Sequence, residues 1–112
     1  MIRISKNLSE FVDSIVSLRT DCNAKDYPTD FQTYDEAWEQ RRQSLVHLRS
    51  KLGEVHYAQL LEMAAQAKTH YDAESQDAHQ GFLGSWLMQN IEQVIKGKPP
   101  YAYPEELYRW PR

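Results

Sequence analysis

Apolar positions recur along most of this chain in alternating steps of three and four, the spacing that places side chains on one face of an α-helix. They fall first at Ile4, Leu8, Phe11, Ile15, Leu18 and Cys22, with Val12 and Val16 widening the stripe. This predicts a helix over residues 4–22. Ser5 or Asn7 can accept the orphan amides at its start, Asn7 with Glu10 in a capping-box arrangement. Residues 23–28 end it, because the residue before Pro28 is driven out of the α region. Thr33 followed by Glu36 is a second capping box, opening a helix over 34–52 with Tyr34, Trp38, Arg41, Leu45, Leu48 and Leu52 on one stripe. Its acidic residues come first and its basic ones later, in the order that complements the helix dipole. Gly53 closes it.

A third helix is predicted over about 54–70, with Val55, Leu60, Leu61, Ala64, Ala67 and Tyr71 inward. The turn before it is so short that helices two and three must run antiparallel. After the break at Asp72, Ala73, Glu74 and Ser75, a fourth helix runs to Lys96 on the strongest stripe of all: Ala78, Phe82, Leu83, Trp86, Leu87, Ile91, Val94 and Ile95. Gly81 and Gly84 lie within it, where small residues let a neighbouring helix approach. Gly97 stops it and Pro99-Pro100 prevents resumption. No segment alternates with period two for long enough to make a strand. The expected fold is all-α, an antiparallel bundle of four main helices in one domain spanning residues 1–112. Its expected core holds Leu8, Phe11, Ile15, Leu18, Trp38, Leu45, Leu48, Leu61, Ala64, Phe82, Trp86, Ile91 and Val94. The last dozen residues carry four of the chain's thirteen aromatics. Disordered tails are poor in aromatics, so a short tail is expected to dock on the open side of the bundle or to serve as a binding strip.

Composition narrows the chemistry. At 112 residues the chain is one domain's length. Its longest apolar runs are three residues, far short of the roughly 20 that span a membrane, and a soluble, cytoplasmic protein with no membrane partner is expected. One cysteine cannot close an intrachain disulfide, and it completes the stripe of the first helix as an inert thiol. The four histidines lack the spacing that puts metal ligands on one helical face, and no glycine-rich phosphate loop or nucleophile motif is present. The expectation is therefore a protein that is not an enzyme and carries no metal or other cofactor. Thirteen basic against sixteen acidic residues, net −3, argue against nucleic acid as a partner. Arg41 is the one charge on an inward stripe. It is expected to snorkel along Tyr34 and Leu45, to pair with a carboxylate of another helix, or to reach an interface.

The charges are unevenly placed. Five acidic residues and no lysine or arginine occupy positions 26–40, and Asp72, Glu74 and Asp77 form a second acidic group. Both precede predicted helices and point outward together if those helices start at one end of the bundle. They also lie within a broader likeness. A first helix ends in Asp26-Tyr27-Pro28 and a long helix follows. Next come a helix carrying Tyr57, Ala58, Gln59, Leu60 and Leu61, then Tyr71-Asp72-Ala73-Glu74, and then Phe82, Leu83 and Trp86. Over about residues 27–88 this resembles the small all-helical immunity proteins that protect bacteria against their own type VI secretion effectors, in particular those guarding against NAD(P)⁺-hydrolysing toxins. Residues 101–112 depart from that family, whose members are shorter at this end.

The resemblance implies binding rather than catalysis, with a cognate toxin as partner and occlusion of its active site as the mechanism. A cleft that holds a phosphate-bearing nucleotide is basic, which acidic side chains complement. The expected contact residues are Asp30, Asp35, Glu36, Glu39, Asp72 and Glu74, with Tyr34 and Tyr71 as apolar anchors. The alternative is a helical adaptor or regulator that completes its bundle as a homodimer.

Overall fold

A computed structural model describes residues 4–21, 33–74 and 76–102. Five helices follow in order: α1 (Leu8–Asp21), α2 (Tyr34–His47), α3 (Arg49–Leu52), α4 (Glu54–Asp72) and α5 (Ala78–Lys96). No strand occurs among the described residues. The all-α architecture is as expected, four long helices with α3 as a one-turn extension of α2.

The predicted caps form. The Asn7 side chain accepts the Glu10 N–H at 2.9 Å, while Glu10 reaches back to the Lys6 N–H at 3.3 Å. The Thr33 hydroxyl accepts from the Glu36 N–H at 3.1 Å and the Glu36 carboxylate accepts from the Thr33 N–H at 3.0 Å. Asp77 caps α5 by accepting the His79 N–H at 3.0 Å. At the far end of α5, Gly97 takes the left-handed conformation (φ 70°, ψ 24°). Lys98 N–H reaches Gln93 O and Gly97 N–H reaches Val94 O, which together make a Schellman ending.

Two boundaries differ from expectation, the start of the first helix, which falls at Leu8 rather than at residue 4, and the run of the second. The helix predicted over 34–52 is interrupted at Leu48, whose φ and ψ of −92° and 4° leave the helical well. Gly53 ends α3 at φ 82°, ψ 156°, a mirror-extended conformation that only glycine adopts readily, and the same residue begins α4. The expected ending of the first helix at 23–28 and the tail beyond residue 102 lie outside the described residues.

Successive long helices run antiparallel, and all four contribute to one core of Phe11, Ile15, Leu18, Ala37, Trp38, Leu45, Leu48, Leu60, Ala64, Ala67, Tyr71, Leu87, Met88 and Ile91. Ser5 N–H donates to the buried Ser44 hydroxyl at 2.9 Å, tying the start of α1 to α2. Arg41 is buried and bridges the same two helices. Its guanidinium donates to the carbonyls of Ala37 (3.1 Å) and Ser14 and to the Gln40 side chain. The Ser14 contact does cross to another helix, but it reaches a main-chain oxygen where a carboxylate was expected.

The expected core needs correction at five positions, Phe82, Trp86, Leu8, Leu61 and Val94, and the inward stripe of the third predicted helix at Val55. Val55 is 81% exposed, because it lies five residues before Leu60 and so roughly 140° around α4 from the buried stripe. Phe82 is 43% exposed and Trp86 is half-buried, since α5 turns Leu83, Leu87 and Ile91 inward and leaves Phe82 and Trp86 on its outer edge. Leu8, Leu61 and Val94 pack against the core without being enclosed by it. Leu60, Ala67, Leu83, Leu87 and Met88 supply buried surface in their place.

Gly84 of α5 faces Tyr71 of α4. A Cβ placed on Gly84 would sit 2.8 Å from both Cδ2 and Cε2 of Tyr71 and 3.2 Å from its Cγ. Near-equal distances to three successive ring atoms mean that the glycine faces the plane of the ring. Tyr71 in turn packs on Trp38 of α2 (centroids 5.9 Å apart), and Trp38 meets Tyr34 edge-on at 6.3 Å.

Gly84→Ala drives a methyl into an enclosed ring and is expected to cost about 1–3 kcal/mol of overpacking, against roughly 1 kcal/mol regained in helix propensity. A Cβ on Gly81 would instead meet only the end of the Glu74 side chain, at 2.7 Å. That chain can swing away, so Gly81→Ala should be neutral or stabilising. Thermal melts of the two variants should shift in opposite directions, and equal shifts would contradict the packing described. Arg41→Lys keeps the charge but loses the planar fork, and is expected to lower stability by about 1–3 kcal/mol in denaturant unfolding.

Candidate functional site

The start of α2 and the end of α4 meet at one end of the bundle. The Tyr34 hydroxyl donates to Asp72 Oδ1 at 2.9 Å, which holds the two helix ends together. Lys68, one turn before Asp72 on α4, places its ammonium 3.0 Å from Asp72 Oδ2, 3.6 Å from Asp35 Oδ1 and 5.5 Å from the centre of the Tyr34 ring. Burial pulls the Lys68 ammonium down, but its bonds to Asp72 and Asp35 outweigh this and hold it above the usual lysine range. Two turns along α2 from Asp35, Arg42 Nε donates to both carboxylate oxygens of Glu39, at 2.8 and 3.0 Å, and a second guanidinium nitrogen reaches Oε1. The Arg42 fork holds the Glu39 carboxyl below its ordinary range.

Between these polar edges lies a groove of about 440 Å³ along the α2/α4 seam. It is lined by Trp38, Leu61, Ala64 and Ala65, with Asp35, Glu39, Arg42 and Lys68 around it. It exists because alanines on α4 stand opposite α2 where larger side chains would close the seam.

The expected contact residues fall into separate places. Tyr34, Asp35, Glu39 and Asp72 come together on this face. Glu36 is next to them but is engaged in the α2 capping box, and the Thr33 N–H it accepts holds its carboxyl below the usual range. Tyr71 is no surface anchor. At 4% exposure it is part of the core, because the period that puts Leu60, Ala64 and Ala67 inward puts Tyr71 there too. Glu74 is half-buried, its carboxyl lying over Gly81 on the α5 side, with one oxygen enclosed and without a hydrogen-bond partner. Asp30 lies outside the described residues. Trp38, Leu61, Ala65, Arg42 and Lys68 were not expected at a site. The signal for them is a pair of matching rows at steps of four and three: Asp35, Glu39 and Arg42 on α2, and Leu61, Ala65 and Lys68 on α4. Among the described residues no group of three histidine, cysteine or acidic side chains converges as a metal would require.

Burial pushes the Glu74 carboxyl above the usual carboxylate range. Its native pKa therefore exceeds the unfolded value, so its contribution favours folding when the carboxyl is protonated and is lost as pH rises through the native pKa. Glu74→Gln should raise the melting temperature at pH 7, and the gain should shrink towards pH 4. A gain that does not depend on pH would contradict the enclosed carboxyl.

No protein-family model matches this chain, and neither a curated protein nor a solved structure does. The reading of its function rests on this face and on the sequence.

Proposed function

We propose that the chain is a protein-binding module rather than an enzyme, and that it acts in the cytoplasm as an immunity protein, neutralising a cognate toxin by covering the toxin's active site. The observation that carries the reading is that Asp35 and Glu39 of α2 border a groove with an apolar floor, beside the Tyr34–Asp72 hydrogen bond that joins α2 to α4. Exposed carboxylates beside apolar surface suit a tight protein contact, since charge steers the encounter and apolar anchors hold the complex. The NAD(P)⁺-hydrolysing class of toxin follows from the family likeness over residues 27–88. A cleft built for a phosphate-bearing nucleotide would meet this face with complementary charge.

A homodimeric adaptor is the second reading. The observation in its favour is that the face carries both signs, Asp35 and Glu39 with Arg42 and Lys68, and so can pair with a copy of itself across a two-fold axis.

The test is co-expression of the chain with the toxin domain captured by it from its own organism. Growth should be rescued by the wild type. The double reversal Asp35→Lys with Glu39→Lys should weaken toxin binding, most strongly at low salt, while leaving the circular dichroism spectrum intact. Glu36 is left alone in this design, because reversing it would dismantle the α2 cap. Rescue by neither protein, with the chain sedimenting as a dimer, would replace the immunity reading with the adaptor.

A further inference from the structure

Resting on the reading of this chain as a binding module, we propose that the α2/α4 groove seats one aromatic or leucine side chain of a partner protein, with a lysine or arginine of the same partner segment held by Asp35. The floor sets the first requirement. Trp38 is only 5% exposed and Ala64 is buried, so the base of the groove is rigid core, while Ala65 and the half-buried Leu61 form its wall. A volume of about 440 Å³ with apolar side chains at its floor and wall has room for a large side chain.

The rim sets the second requirement. Lys68 is shared by two carboxylates, Asp72 and Asp35, which leaves that cluster with one negative charge in excess. Asp72 is the firmly held partner, fixed by Tyr34 as well as Lys68. Asp35 is the loose one, 3.6 Å from Lys68 and 85% exposed. One turn along α2 from Asp35, Glu39 is already occupied by Arg42. An incoming cation therefore finds an available carboxylate at Asp35, and an incoming anion finds both Lys68 and Arg42 engaged. Asp35 and Arg42 stand seven residues apart on α2, roughly 10 Å along its axis. That length matches about two turns of a partner helix, or three extended residues, which places the basic residue close in sequence to the anchor.

The test uses random twelve-residue peptides displayed on phage, selected on the immobilised full chain and counter-selected on Ala65→Trp. Ala65 is exposed, and an indole there fills the groove without entering the core. Its melting curve and circular dichroism should match the wild type. The expected result is a family of peptides with one aromatic or leucine anchor and a nearby lysine or arginine. Peptides of that family should bind Ala65→Trp and Asp35→Lys at least tenfold more weakly, and Lys68→Gln roughly two- to fivefold more tightly at low salt. No enriched family, a family without basic residues, or equal binding to Ala65→Trp would overturn the proposal. So would a wild-type dimer in sedimentation that Ala65→Trp breaks, since the groove would then belong to a second copy. Toxin neutralisation that survives Ala65→Trp with unchanged affinity would remove the groove from the account and leave the immunity reading standing. Groove-binding peptides without any growth rescue would do the reverse.

Discussion

The packing of this protein depends on the face of one tyrosine ring lying against one glycine. Tyr71 can occupy the space between α4 and α5 only because residue 84 has no side chain, and the ring then becomes the surface on which Trp38 of α2 rests. Three helices are fixed by that single layer. A methyl group at position 84 would overlap the ring, and interiors packed to crystal-like density have no slack to absorb it locally. The first helix adds Phe11, Ile15 and Leu18 to the same core, and polar ties reinforce its seam with α2, Ser5 on Ser44 and the Arg41 guanidinium on the Ser14 carbonyl.

The same layer shapes the candidate site. Trp38 is both a core residue and a lining residue of the α2/α4 groove, and it packs on Tyr34, whose hydroxyl is bonded to Asp72. Surface and core are therefore coupled through one side chain. The charged groups around the groove are mostly exposed ion pairs, which contribute little to stability. Their arrangement matters more for which partner they admit, because opposed pairs of equal strength present no net field, whereas one loosely held aspartate does.

Much of the fold was legible because it depends on local chemistry. The capping box at Thr33, the Asn7 cap, the Gly97 ending, the Phe11, Ile15 and Leu18 positions of the α1 stripe and the α2 stripe follow from residue types a few positions apart, and they appear as expected, whereas Ile4 of the predicted first stripe is exposed. What failed depended on rotation about a helix axis. The α5 stripe is wide enough that either Phe82 and Trp86 or Leu83 and Leu87 could lead it. The choice was made by the Gly84 seat and by the segment after Pro100, where Tyr101 N–H donates to Asn90 at 2.8 Å and the Trp86 indole donates to Tyr101 O at 3.2 Å. Tyr71 carries two incompatible readings in the sequence, an inward place in the 60, 64, 67, 71 row and an interface anchor beside acidic residues, and the structure realises the first. The acidic residues themselves could be picked out in sequence, and Asp35 and Asp72 do share one end of the bundle. The groove between them could not be, because it arises from the register of α2 against α4 and from two alanines that look like ordinary helix formers.

The ring–glycine seat is open to direct measurement by proton NMR. A hydrogen held over the face of an aromatic ring is shifted upfield by the ring current. The Gly84 Hα that stands where a Cβ would be should resonate well upfield of its geminal partner, show a cross-peak to the Tyr71 ring protons, and return to an ordinary helical position in Tyr71→Leu. Two Gly84 Hα resonances at ordinary helical positions, without a cross-peak to Tyr71, would contradict the packing on which both the core and the groove depend.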